Sequence, residues 1–292
     1  VKKEKMGKQE KERLAGDINL ICQIVIDKHW LGAIKDSVLL SSIKLVTALM
    51  TEYSGLNCLE TIEQVDKLKK SCFDVITSTS VKDNAELVNA SFKFLAVLIR
   101  DRGDEVDWSP AQLKAIIGYT MSNVERSEGQ SLTFGLVKAL VDRQLVSPEL
   151  YELIGKVRDL SITAHSSTTR QQCMAVFERF LNNYQLAEKR LYEHAQFYLD
   201  NLPYEQESGR LSAIDGLMTV VEVLKRKLAD QDLDESFMEL LVKQAILRVN
   251  NEPVQDLQSK AFDLLQFAVK QANQKTLDRV QMLAQKWISK AP

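Results

Sequence analysis

Glycine and proline are scarce in this chain of 292 residues, at 11 and 5, where average usage would put the two together near ~12%. So few chain breakers exclude a sandwich or barrel built on many tight turns. Cysteine is equally sparse: Cys22, Cys58, Cys72 and Cys173 lie far apart with no C-x-x-C. No disulfide framework or paired-thiol metal knuckle follows, and a reducing setting is the default expectation. The three histidines, His29, His165 and His194, have no H-E-x-x-H or H-x-E context, so zinc has no ligand set in the sequence. No phosphate-cradling G-x-x-x-x-G-K-[ST] or G-x-G-x-x-G occurs.

Long apolar runs are missing too. Ile18 to Ile26 and Phe92 to Ile99 are broken by Asn19, Gln23 and Lys93, well short of the ~20 residues that span a bilayer. Neither charge sign dominates: Lys plus Arg is 38 against 40 acids, split 20 to 21 over residues 1–150 and 18 to 19 over 151–292. That balance excludes a basic nucleic-acid module or an acidic tail. Val1 opens a charged run with no initiator Met, which reads as an excerpt of something longer.

What is present is helical periodicity. Apolar residues recur at three and four in Leu132, Leu136, Val137, Leu140, Val141; in Cys173, Val176, Phe177, Phe180, Leu181; in Leu211, Ile214, Leu217, Met218, Val221; and in Leu257, Ala261, Leu264, Leu265, Ala268. Each stripe needs a neighbouring helix to cover it. Ser109-Pro110 and Ser147-Pro148 place a capping hydroxyl before a proline at the first helical position. Asp36, Asp83 and Ser166 to Thr168 read as further capped starts, and Pro253 sits near another. The breaks divide the chain into about thirteen helices of roughly 13–22 residues. The β-branched stretch Val75 to Val81 reads as a fraying helix end. Antiparallel helix pairs repeating every ~40 residues are the pattern of a HEAT or armadillo-like α-solenoid, here taken as one all-α segment over 1–292.

The remaining polar clusters read as structural. The acidic loop Asp101 to Asp107 has its glycine misplaced for an EF-hand. His194, on the edge of an apolar stripe, reads as a satisfied, part-buried imidazole. Cys173, in line with Val176, Phe177 and Phe180, reads as a core thiol. Lys67, Lys69 and Lys70, Lys189 and Arg190, and Lys225, Arg226 and Lys227 form small basic clusters with acidic neighbours such as Asp66, Asp74, Glu188 and Glu222.

One ordered set of features runs from about Ala85 to Lys227. Phe134 to Arg143 leads to Val146-Ser147-Pro148-Glu149-Leu150-Tyr151. Thr169-Arg170-Gln171-Gln172-Cys173, Val176-Phe177, Phe180-Leu181, Tyr184 and Lys189-Arg190 follow, and Asn201-Leu202-Pro203-Tyr204-Glu205-Gln206-Glu207-Ser208-Gly209-Arg210-Leu211-Ser212 closes it. The chain thereby resembles the down-regulated-in-metastasis family, whose members are very large HEAT-repeat components of the small-subunit processome that matures the 18S ribosomal RNA precursor. It departs from the family pattern at Tyr184-Gln185-Leu186-Ala187, where a proline and a glycine are expected. The resemblance implies a nucleolar scaffold with no catalytic residue, no cofactor and no small-molecule substrate. Its implied partners are pre-ribosomal proteins, with precursor ribosomal RNA or small nucleolar RNA touched weakly through Lys189, Arg190, Arg210, Lys225, Arg226 and Lys227. Within that segment Arg170 is expected to lay its stem along the Cys173 stripe and reach a carboxylate, and Gly209 to let two helices approach closely. The alternatives are a HEAT or armadillo adaptor of nuclear transport or of a phosphatase, and an all-α enzyme marked by a deep pocket of perturbed ionisable groups.

Overall fold

The computed structural model describes residues 8–53, 59, 61–78, 84–103, 105–126, 129–229 and 232–289, with backbone alone at 8–12, 283, 284 and 286–289. Thirteen α-helices account for nearly all of them: α1 (Lys8–Val25), α2 (Asp36–Glu52), α3 (Ile62–Ser78), α4 (Ala85–Arg102), α5 (Pro110–Asn123), α6 (Gln130–Asp142), α7 (Pro148–Thr163), α8 (Ser167–Asn183), α9 (Glu188–Asp200), α10 (Glu207–Lys227), α11 (Glu235–Asn251), α12 (Gln255–Gln271) and α13 (Gln274–Ser289). No strand occurs among the described residues. The helices cluster into two compact units, residues 1–150 and 151–292.

Several helices start where a side chain can take an orphan amide hydrogen of the first turn. Ser109 and Gln112 form a reciprocal capping box around Pro110. Ser147 accepts from the Leu150 N–H at 3.2 Å, Ser166 from Thr169 at 3.4 Å, Asp234 from Phe237 at 2.8 Å and Asn273 from Thr276 at 2.9 Å. Asp36 is not a cap: Lys35 holds that position without a side-chain bond, and Asp36 is the first helical residue. Its charge still suits the positive end of the helix. Asp83 lies outside the described residues, and Asn84 caps α4 by accepting from Leu87. The β-branched stretch is helical through Ser78, its Thr77 and Ser78 hydroxyls bonding back to the Phe73 and Asp74 carbonyls; residues 79–81 lie outside the described residues. A π-helical turn, Ile26–Trp30, follows α1. The Leu31 N–H reaches back to the Ile26 carbonyl at 2.9 Å. Trp30 is buried there, edge-on to Phe94 with ring centres 4.8 Å apart.

Within the first unit α2, α4 and α6 pack in a row, with α3 laid against α4 and α5 against α6. Within the second unit α8, α10 and α12 form the row, α9 lies against α10, α11 against α12, and α13 against α11. This is the stacking of an α-solenoid, in which the second helix of each pair touches its counterparts in the neighbouring pairs. The repeat length is written in the side chains that bridge neighbours. Trp30 Nε1 donates to Ser71 Oγ across 41 residues, Lys69 Nζ to the Asp107 carbonyl across 38, and Lys227 Nζ to the Tyr184 carbonyl across 43.

The core of the second unit is aromatic. Phe177, Phe180, Tyr198 and Cys173 are all buried, and the Tyr198 hydroxyl lies 2.8 Å from Ser161 Oγ of α7. Gly216 is where α10 meets the Tyr198 ring of α9, and Gly209 is where it meets the Tyr204 ring of its own connector. A Cβ on Gly216 would stand 2.3 Å from the Tyr198 ring, and one on Gly209 would stand 2.3 Å from the Tyr204 ring and 3.2 Å from the Ile162 carbonyl oxygen. The stripe on α10 is shifted from the sequence reading: Leu211 is exposed, and the buried face runs Ala213, Ile214, Leu217, Val220, Val221, Leu224. Replacing Phe177 by Ala is expected to cost about 3–5 kcal/mol in chemical denaturation, through lost transfer energy and the cavity left behind. A change within ~0.5 kcal/mol, the scale of a surface substitution, would contradict this burial.

Candidate partner interface

The six sequence candidates fall at both ends of α10. Lys189 and Arg190 are the second and third residues of α9, and Lys225, Arg226 and Lys227 end α10. The six-residue connector between α9 and α10 makes the pair antiparallel, which puts these five at one end. Arg210 is the fourth residue of α10, some ~22 Å away along the axis at ~1.5 Å per residue. The candidates therefore do not form one basic surface.

Most of them are occupied. Lys225 Nζ donates to Gln271 Oε1 of α12 at 2.8 Å, Arg226 Nη2 to Asn182 Oδ1 of α8 at 2.6 Å, and Lys227 to the capping carbonyl of Tyr184 at 2.6 Å. The cluster thus fastens α10 to both neighbours in its row while its charge suits the negative end of the helix. Arg210 lies largely inside the unit. Its Nε and Nη2 fork onto the two oxygens of Glu252, each at 2.9 Å, and Nη1 donates to the Tyr204 and Glu205 carbonyls at 3.2 and 2.9 Å. A planar guanidinium matched to a carboxylate on two atoms is the strong form of this bond.

Arg170 repeats that arrangement one pair earlier. Also the fourth residue of its helix, it donates Nε to Ser212 Oγ at 3.0 Å and Nη1 to the Ala164 and His165 carbonyls at 2.7 and 3.0 Å. Its cross-helix partner is a hydroxyl, not the carboxylate expected from the sequence. In both cases the partner on the next pair stands 42 residues on, and the same chain of carbonyls, five and six residues back, is collected. Ser212 and Glu252 escaped the sequence reading, although an offset of one repeat from each arginine would have pointed to them.

Lys189 and Arg190 face outward. The Arg190 guanidinium lies 6.0 Å from the Tyr151 ring centre, and on the same seam between α7 and α9 Arg158 stacks 3.9 Å above Phe197. His194 sits between them, its Nδ1 3.5 Å from Arg158 and its ring edge-on to Phe177 at 5.1 Å. Burial, then the charges of Arg158 and Arg190, press the imidazole down to about 4, so it is neutral at physiological pH. Burial pushes the Cys173 thiol up to about 12, the opposite of what a nucleophile needs.

Elsewhere the polar clusters are paired. Lys69 is buried between Asp66, the Asp107 carbonyl and the Trp108 ring, and in the acidic loop Asp101 pairs with Arg100 and Glu105 with Arg102. Asp104 and Cys58 lie outside the described residues. Among the described residues no group of three His, Cys, Asp or Glu side chains is placed to hold a metal ion, and no helix is long and apolar enough to cross a membrane. Two open grooves mark the surface. One, of about 540 Å³, runs over α2 and α4 and is crossed by the Lys44–Glu86 ion pair. The other, of about 690 Å³, lies between α9 and α11.

Stacked antiparallel pairs of this kind define the class of helical-repeat proteins. No family model matches it. It is similar to the U3 small nucleolar RNA-associated protein 20 of Schizosaccharomyces pombe, 27% identical over 222 residues that make up 74% of this chain and 9% of that protein. It is equally similar to the protein of the same name from Saccharomyces cerevisiae, 27% identical over 208 residues, 71% of this chain and 8% of that one. The chain thus spans under a tenth of the relatives it matches. A solved engineered protein covers 88% of the chain at 11% identity with a TM-score of 0.42, too slight a likeness to bear on the fold.

His194 yields a test. Its folded value lies below the ordinary ~6.5 of an exposed imidazole, so the unfolded chain binds a proton first. Stability is complete above ~6.5 and falls as the pH drops toward about 4. Denaturation midpoints measured between pH 7 and 4 should fall less steeply in His194→Gln than in the wild type. Parallel profiles would show that His194 is not buried neutral.

Proposed function

We propose that this chain is a non-enzymatic scaffold segment of a down-regulated-in-metastasis-type protein, acting in the nucleolus on small ribosomal subunit assembly and processing of the 18S ribosomal RNA precursor. The observation that carries the reading is the similarity, over 74% and 71% of the chain, to two proteins named for association with the U3 small nucleolar RNA. The helical stacking of each unit supports it, because stacked pairs expose continuous faces to which several partners can dock at once.

The partners in this proposal are mainly pre-ribosomal proteins. RNA contact falls to Lys189 and Arg190, whose side chains are exposed, while the other four candidates are bonded to neighbouring groups of the unit. Few free cations mean few phosphates neutralised, and non-specific RNA affinity scales with that number. This argues for a segment held in its particle by protein contacts and touching RNA weakly. Affinity purification of the full-length protein from cells, followed by sequencing of RNA and mass spectrometry, tests the proposal. Recovery of precursor 18S RNA, U3 small nucleolar RNA and processome proteins is expected; recovery of transport factors or phosphatase subunits alone would contradict it and favour an adaptor of another setting.

A further inference from the structure

The groove between α9 and α11 differs from the next junction along, between α11 and α13, in a way that defines what it lacks. At the α11/α13 junction the first residue of α11, Glu235, is bridged by the second and sixth residues of α13: Lys275 at 2.8 Å and Arg279 at 3.1 Å. At the α9/α11 junction the first residue of α9 is again an acid, Glu188, but the second and sixth residues of α11 are Ser236 and Leu240. The two bridging cations are missing, and the space they would fill is part of the 690 Å³ groove, which Ser236 and Leu240 line.

Tyr192 and Phe237 form the floor, edge to face at 5.2 Å, and the Tyr192 hydroxyl accepts the Asp234 N–H at 2.7 Å, which fixes the ring. Glu188, Glu193 and Asp234 stand on the rim against one cation, Lys189, so the groove carries a net −2 over an apolar base. The excess of acids disfavours a phosphate backbone within the groove and keeps any RNA contact at Lys189 weak. Glu188 and Glu193 both line the groove from α9, beside the apolar base formed by Tyr192, Phe237 and Leu240. We propose that this groove docks a segment of a protein partner that carries lysine or arginine beside aliphatic residues, the cations meeting the acids of the rim where Lys275 and Arg279 serve at the neighbouring junction and the aliphatic side chains covering Phe237 and Leu240. The assignment rests on the chemistry of the groove and holds whatever assembly the whole protein serves.

The test is fluorescence anisotropy of the 292-residue chain at ~150 mM salt with three labelled probes: a 12-residue Leu-Arg repeat peptide, its Leu-Glu counterpart, and a 20-nucleotide single-stranded RNA. The Leu-Arg peptide should bind best. The charge-reversed variant E188K/E193K should weaken it about tenfold, as expected for two lost exposed pairs together with the repulsion that replaces them. The variant S236K/L240R, which writes the α13 pattern into α11, should abolish binding by closing the groove from within, with its circular dichroism unchanged. Equal binding of the Leu-Arg peptide to wild type and S236K/L240R would overturn the proposal. So would RNA binding tighter than the peptide and lost on Lys189→Glu.

Discussion

The stacking of the second unit depends on two arginines turned into it, Arg170 buried and Arg210 largely so. A helix pair alone leaves carbonyls exposed in its connector and an apolar face uncovered. Arg170 and Arg210 deal with both needs at once: each gathers two carbonyls from the preceding connector and then reaches one pair ahead, to Ser212 and to Glu252. The cost of burying a guanidinium is offset because several of its donors find acceptors and, at Arg210, because the charge is met by a carboxylate of which the side chain is 3% exposed. Such a bond sets the register between pairs as well as their separation. Gly209, immediately before Arg210, lets the helix start press against Tyr204 and the end of α7.

That use of charge shapes what the surface can do. Cations at the end of α10 hold Gln271, Asn182 and the Tyr184 carbonyl, and Lys69 in the first unit is buried against Asp66 and the Asp107 carbonyl. A chain with nearly equal numbers of both signs thus sets several of its cations to bonds across repeats. The acids left over, at Glu188 and Glu193, collect where the repeat pattern fails to supply their partners.

Helices and most of their starts were legible because their signals are local: a hydroxyl before a proline at Ser109 and Ser147, a stripe of Cys173, Val176, Phe177 and Phe180 at helical spacing. What escaped was set by the neighbouring pair. The phase of α10 moved off Leu211 because Gly209 and Gly216 turn the face they share toward Tyr204 and Tyr198. Arg170 found a hydroxyl where a carboxylate was expected, since the residue 42 positions on is a serine. Sequence shows the charge of a basic cluster but not the acceptor it meets across the repeat, so the bonds of Lys225, Arg226 and Lys227 to neighbouring elements were not legible. The π-helical turn at Ile26–Trp30 has no sequence signature; the burial of Trp30 against Phe94 accompanies it.

The central claim, that the cross-repeat arginines hold the stack, is tested most directly by native-state hydrogen exchange on Glu252→Ala. Removing one partner of a buried pair leaves the other charge uncompensated, at about 3–5 kcal/mol. Amide protection should fall in α10, α11 and α12, while α2, α4 and α6 of the first unit keep theirs. Protection unchanged in α10 to α12, or lost evenly over the whole chain, would contradict the account.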